Sequence, residues 1–154
     1  MNATSPSPLT AFRLRHSLRV RWAEVDPQNI VFNGHYLTYF DVAITEYWRE
    51  IGAPYPAITE RWGSDLFVVK ATIEYHGSAQ YDQMLDIGVR VARIGTSSMQ
   101  FVLGIFAGDT HLISGEVVYV NADPATRKSV PVPAGLRALI DALEGQPDAA
   151  RSSA

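Results

Sequence analysis

The stretch from Gly34 to Ile51 contains no proline, and Leu37, Phe40, Ile44, Tyr47, Trp48 and Ile51 recur along it at three- and four-residue steps, the spacing of one face of an α-helix. Tyr36, Val42 and Ala43 widen that face. A helix this apolar needs cover over most of its circumference, which a single layer of helices does not give and a curved sheet does. Gly52 supplies the stop. At the other end Asn33 is placed to cap, with Phe32 and Leu37 at the two positions of a hydrophobic staple, so the first N–H groups of the helix are expected to be fixed in direction. Asp26, followed by Pro27, stands seven residues before the cap. It lies in a loop that returns the chain from a preceding strand, which predicts an acid close to a set of unpaired backbone donors.

The remaining chain supplies strands to wrap the helix. From Leu14 to Trp22 the residues alternate, with Leu14, His16, Leu18, Val20 and Trp22 on a core face and Arg15, Ser17, Arg19 and Arg21 on the other. That arginine row is a solvated face in the ordinary case, or else a surface for an anionic ligand or partner. Ala53 to Asp65, with Pro54, Tyr55, Pro56 and Trp62, is expected to be a long connecting loop. Leu66 to His76 places Phe67, Val69, Ala71, Ile73 and Tyr75 on one face; Met84 to Ile94, Ser97 to Phe106 and Leu112 to Asn121 complete the set. Gly95-Thr96 and Gly108-Asp109 are short enough for hairpin turns, so these last three strands are predicted to form an antiparallel meander. Leu136, Leu139, Ile140 and Leu143 indicate a short amphipathic helix closed by Gly145.

The predicted architecture is α+β, with about five antiparallel strands curved around one long helix in the order β-α-β-β-β-β and a short terminal helix. At 154 residues and 47% hydrophobic composition, the chain is expected to be one domain, 12–145, between a flexible arm, 1–11, and a flexible tail, 146–154. The sequence has no cysteine, which excludes disulfides, thiolate metal sites and a nucleophilic thiol. A net charge of −3 argues against a nucleic-acid partner. With no signal-peptide run and no stretch near the ~20 apolar residues of a membrane span, a cytoplasmic protein is expected. His16, His35, His76 and His111 lack ligand-like spacing, so no metal is expected. There is no GxSxG elbow, P-loop or HExxH.

Asp26 is therefore the leading candidate for chemistry, although an isolated loop aspartate is ordinarily a turn residue. Asp26-Pro27, Ile30-Val31-Phe32, Tyr36-Leu37 and Tyr39-Phe40, continued by Tyr81-Asp82, Gly95-Thr96-Ser97-Ser98 and Thr126-Arg127-Lys128, resemble the signature of the hotdog-fold 4-hydroxybenzoyl-CoA thioesterase family. The resemblance covers roughly Leu14 to Leu143. It implies the hotdog fold, acyl-CoA hydrolysis, and a homo-oligomer, dimer or tetramer, with active sites shared between chains. No cofactor is implied, because coenzyme A is part of the substrate.

Carried over by position, the resemblance makes Asp26 the catalytic carboxylate and Asn33 the residue whose backbone N–H polarises the thioester carbonyl, with the Gly34 N–H as a second donor. The family's usual glycine is Asn29 here, a residue that also reaches left-handed geometry. His35 lies about 200° around a helix from Asn33; it is first a helix-start or interface residue, with catalysis as the alternative. Glu24 is expected at the surface. Tyr36 and other aromatic side chains would bound the acyl group, and Arg93, Arg127 and Lys128 would meet the phosphates of coenzyme A.

In this arrangement the helix N-terminus stabilises the tetrahedral oxyanion, and the ionised carboxylate either attacks the carbonyl or deprotonates a water. Two other activities suit the same fold: hydration or dehydration of an acyl thioester, and binding of acyl-CoA without catalysis.

Overall fold

The computed structural model describes residues 7–145. Residues 1–6 of the expected arm and the whole expected tail, 146–154, lie outside the described residues; Leu9–Ala11 form a single 3-10 turn. Nine further elements follow: β1 (Leu14–Arg19), a second 3-10 turn (Trp22–Glu24), α1 (His35–Glu50), α2 (Ala57–Trp62), β2 (Asp65–Tyr75), β3 (Met84–Ile94), β4 (Ser98–Ala107), β5 (Thr110–Ala122) and α3 (Ala134–Glu144). The strands form one antiparallel sheet in the order β1-β3-β4-β5-β2. This curved sheet around α1 is the expected hotdog arrangement, and β3-β4-β5 is the predicted meander.

Alternation explains the core. Leu85, Ile87, Val89 and Val91 of β3 and Met99, Phe101, Leu103 and Ile105 of β4 are all buried on the face that meets α1. The helix contributes Tyr36, Tyr39, Phe40, Ala43, Ile44, Tyr47 and Trp48, and Tyr47 and Trp48 pack edge-on against Phe101. Gly115 of β5 makes room for the helix's Phe40: a Cβ there would stand 2.2 Å from the ring. Helix α3 closes one end with Leu136 and Ile140. The Glu144 carboxylate there accepts the Tyr47 hydroxyl at 2.9 Å.

Several expectations are corrected. Leu37 and Val42 are exposed, because the buried stripe of α1 is centred on Tyr36, Tyr39 and Phe40 rather than on Leu37. Trp22 is 75% exposed: β1 ends at Arg19, the chain turns through a 3-10 turn at Trp22–Glu24, and the indole packs edge-on against Tyr81. The expected loop after α1 contains α2, which buries Ile58. In β2 the register shifts between Val68 and Lys70; this bulge breaks the two-residue alternation and leaves Val68 and Val69 exposed at the edge of the sheet. Among the described residues no helix is long and apolar enough to cross a membrane.

Candidate active site

The segment between β1 and α1 folds back on itself as a small ladder. The Phe32 N–H donates to the Glu24 carbonyl at 2.9 Å and the Asp26 N–H to the Ile30 carbonyl at 2.9 Å, with Val25 and Val31 bridged between them. Its tip is a β-turn from Asp26 to Asn29, closed by an Asn29 N–H to Asp26 carbonyl bond of 2.9 Å. Pro27 presets the first turn position. Asn29 adopts the left-handed conformation, φ 62°, that the residue after such a turn requires, and so replaces a glycine as expected. Asp26 is half-buried. Its Oδ1 accepts the Gln28 N–H at 2.8 Å, an aspartate-type turn that fixes the side chain and leaves Oδ2 for other partners.

The helix start differs in detail from expectation. The residue preceding the first helical turn is Gly34, and no side chain caps it, so Asn33 is not a side-chain cap. The reason lies in the backbone: Gly34 already has helical dihedrals, φ −71° and ψ −21°, which moves Asn33 beyond the cap position. Phe32 and Leu37 are both exposed rather than buried as a staple, and Phe32 packs edge-on against His35 at 5.6 Å. The His35 N–H is taken by the Phe32 carbonyl at 2.9 Å. Among the described residues the Asn33 and Gly34 N–H groups are not engaged by a backbone carbonyl.

Two tyrosines tie this region together. Tyr75, the last residue of β2, donates its hydroxyl to the Asn33 carbonyl at 3.1 Å. In a planar trans peptide the carbonyl and the next N–H point in opposite directions, so that bond also sets the direction of the Gly34 N–H. Tyr36, in the first turn of α1, accepts the Ala79 N–H at 3.0 Å, and the Ala79 carbonyl accepts the Val31 N–H at 2.9 Å. Burial pushes the Tyr36 phenol above its ordinary pKa, the Ala79 N–H opposing, and Tyr75 and Asp26 add to the rise. Asp26 thus sits on a ladder whose return leg, tied by the Phe32 N–H to Glu24 carbonyl bond, leads directly into the helix start.

Glu24 is buried, contrary to its expected surface position, because the 3-10 turn rolls it inward. Its Oε1 accepts the Arg21 N–H at 2.7 Å and its Oε2 accepts Arg21 Nη2 at 3.2 Å. Burial raises the Glu24 pKa, but the Arg21 side chain and N–H, with Tyr39, outweigh it and hold the carboxyl below its ordinary value. The rest of the arginine row is engaged within the protein, Arg15 on the Phe12 carbonyl and Arg19 on Asp82. Tyr75 and Glu24 carry no local signal of a site role. Tyr75 meets Asn33 from 42 positions away, a contact that only strand order creates.

Arg127 stacks on Phe67, its guanidinium 4.7 Å from the ring centroid, and Lys128 and Arg93 are exposed. Phe67 and Tyr75 are eight residues apart on β2, about 25 Å at ~3.3 Å per residue. Arg93 lies at the same end, since its partner Gln100 and Phe67's partner Val120 both adjoin the start of β4. The structure thus joins Asp26, Asn33, Gly34, His35 and Tyr36 at one end of the sheet and leaves the three basic residues at the other. No group of three or more His, Asp or Glu side chains among the described residues is arranged to hold a metal.

Comparison with known proteins gives a consistent picture. The model of the thioesterase-like superfamily matches residues 20–140. The acyl-CoA thioester hydrolase YbgC of Escherichia coli is 31% identical over 122 residues, covering 77% of this chain and 89% of that protein. Among solved structures, the PA5185 protein of Pseudomonas aeruginosa superposes with a TM-score of 0.79 at 26% identity, covering 94% of this chain and 99% of its own. A Thermus thermophilus thioesterase solved with coenzyme A and zinc superposes with a TM-score of 0.76 at 26% identity, covering 89% and 98%.

Proposed function

Because this chain belongs to the thioesterase-like superfamily, we propose that it is an acyl-CoA thioester hydrolase in which Asp26 performs the chemistry and the start of α1 stabilises the oxyanion. The reaction class is supported by relatives that match over most of both chains. The observation that supports the residue assignment is the ladder that leads from Asp26 into the start of α1, where the Asn33 and Gly34 N–H groups have no carbonyl partner.

In the proposed reaction the thioester carbonyl oxygen lies against those N–H groups. As the tetrahedral intermediate forms, they and the positive end of the helix stabilise its developing charge. Asp26 Oδ1 is held by Gln28, so Oδ2 is the oxygen that attacks the carbonyl carbon or takes a proton from the attacking water. Coenzyme A leaves as the thiol and the acyl group as the free acid. Tyr36 and Tyr75, edge-on at 5.8 Å, form an aromatic wall for the acyl group. His35, half-buried against Phe32, belongs to the rim.

The site is completed by a second copy of the chain. β2 is an edge strand with Val68 and Val69 exposed, and α1 adds exposed Leu37 and Val42; antiparallel pairing of two such edges across a two-fold removes the unpaired edge. That pairing also brings the Phe67 end of one β2 beside the Tyr75 end of the other. Arg127 and Lys128 of the partner subunit then meet the phosphates of a coenzyme A whose thioester sits at Asp26, a distance that one protomer alone does not bridge. The reading is tested by thiol release from a panel of aromatic and aliphatic acyl-CoAs. Turnover of at least one supports it, and loss of an enoyl absorbance without thiol release would replace it with hydration.

A further inference from the structure

Four contacts join residues 30–36, which lead from the Asp26 ladder into α1, to residues 75–80, the end of β2 and the connection after it. The Ile30 and Gln80 backbones form a bridge. The Val31 N–H donates to the Ala79 carbonyl at 2.9 Å, and the Ala79 N–H donates to the Tyr36 hydroxyl oxygen at 3.0 Å. The Tyr75 hydroxyl donates to the Asn33 carbonyl at 3.1 Å.

Ala79 thus spends both of its backbone groups on one segment, and the two bonds close a ring. It runs along the chain from Val31 to Tyr36, across the Tyr36 side chain to the Ala79 N–H, and from the Ala79 carbonyl back to Val31. Inside this ring lie Asn33 and Gly34, whose N–H groups have no carbonyl partner. Joined to it at Ile30 is the rung that holds Asp26. The acid and the oxyanion donors therefore share one hydrogen-bonded frame, and the Tyr36 hydroxyl is the side-chain atom that closes it. Packing alone would be met by phenylalanine, because Tyr36 meets Tyr39 and Tyr75 edge-on through its ring, at 5.9 and 5.8 Å. Ala79 is 0% exposed and Tyr36 2%, so water does not replace a bond lost there, and a buried N–H without a partner is costly.

We infer that Tyr36 is a positioning residue of the proposed thioesterase, its hydroxyl closing the ring that holds Asp26 in register with the Asn33 and Gly34 N–H groups. The inference rests on the hydrolase reading in which Asp26 is the reacting carboxylate. A misplacement of about 1 Å can cost on the order of 10²-fold in rate, and the frame is what fixes the separation of the acid from the donors. The hydroxyl acts through Ala79 rather than on the substrate.

The test is Tyr36→Phe, alone and combined with Asp26→Asn. It is read as kcat and KM for whichever acyl-CoA the parent hydrolyses best, at a temperature well below the melting point of each variant. Tyr36→Phe is expected to lower kcat by at least about fivefold while KM stays within about twofold; a smaller loss in kcat, or a loss carried by KM, overturns the inference. In the Asp26→Asn background the same change is expected to cost less, because no carboxylate is left to position. A loss there as large as in the parent background means that Tyr36 serves stability alone, and overturns it. Should Tyr36→Phe fail to fold, amide hydrogen exchange of the parent decides: Val31 and Ala79 N–H groups that exchange as slowly as the β3–β4 ladder support the closed ring, and faster exchange overturns it. A parent that releases no thiol from any acyl-CoA defeats the hydrolase reading instead, and the ring is then decided by the same exchange measurement.

Discussion

Removing the Tyr75 hydroxyl tests how the oxyanion donors are aimed, with little disturbance elsewhere. In Tyr75→Phe the ring keeps its edge-on packing on Tyr36 at 5.8 Å and only the 3.1 Å bond to the Asn33 carbonyl is lost. A neutral hydrogen bond contributes about 0.5–1.5 kcal/mol net, and Tyr75 is half-exposed, so water can take over the freed carbonyl and the melting temperature should fall by no more than a few degrees. The catalytic effect has an upper bound. Deleting an oxyanion donor outright costs about 2.7–4 kcal/mol, whereas here the donor remains and only the restraint on its peptide plane goes. A loss of about 1 kcal/mol in the transition state corresponds to roughly fivefold in kcat, with KM unchanged because the ground-state carbonyl makes weaker use of the same N–H. Thiol release under saturating acyl-CoA measures this directly. A kcat equal to the parent's, with the Asn33 peptide freed, would refute the idea that this bond sets the direction of the Gly34 N–H.

Gly115→Ala places a methyl 2.2 Å from the Phe40 ring and should cost about 1–3 kcal/mol by overpacking, seen in thermal melts as a fall of several degrees that Phe40→Leu partly reverses. Stability should also fall as pH drops from about 7 toward 5. Burial, opposed by the Ile113 carbonyl and aided by His76, holds the His111 pKa below its ordinary 6.5; the unfolded chain then binds the proton first, so the contribution is complete above the unfolded pKa and is lost as pH falls through the folded one. Melts across this range should flatten in His111→Gln, and an unchanged slope would assign the loss to other groups. Replacing Arg127 and Lys128 together by Ala should raise KM by roughly tenfold with kcat nearly intact, and a salt-independent KM in the parent would place the coenzyme A phosphates elsewhere.

What the sequence conveys here follows the range of each interaction. Periodicity is local, so α1, β3, β4, β5 and α3 were legible from it, as was the turn where Asn29 takes glycine's place. The face of α1 was displaced because Leu37 is as apolar as Tyr39 and only the sheet decides which is covered. The β2 bulge at Val69 and the one-residue shift of the helix cap to Gly34 are backbone adjustments with no composition signal. Glu24 looked like a surface acid because burial of a carboxylate depends on a partner, and the 3-10 turn that brings Arg21 to it also ends β1 early and exposes Trp22. Asp26 and the helix start could be paired from chain order alone. Tyr75 could not, since its meeting with Asn33 depends on β2 lying at the sheet edge.

The central claim is tested most directly by kcat of Asp26→Asn on the best acyl-CoA substrate, with the melting temperature measured on the same sample. The substitution keeps the size of the side chain and an oxygen able to accept the Gln28 N–H, while removing the charge that attacks the carbonyl or takes the proton. The account predicts a loss on the order of 10²–10⁴ in kcat with the melting temperature within a few degrees of the parent. Hydrolysis within about threefold of the parent would contradict it, and would make Asp26 a turn residue of the ladder.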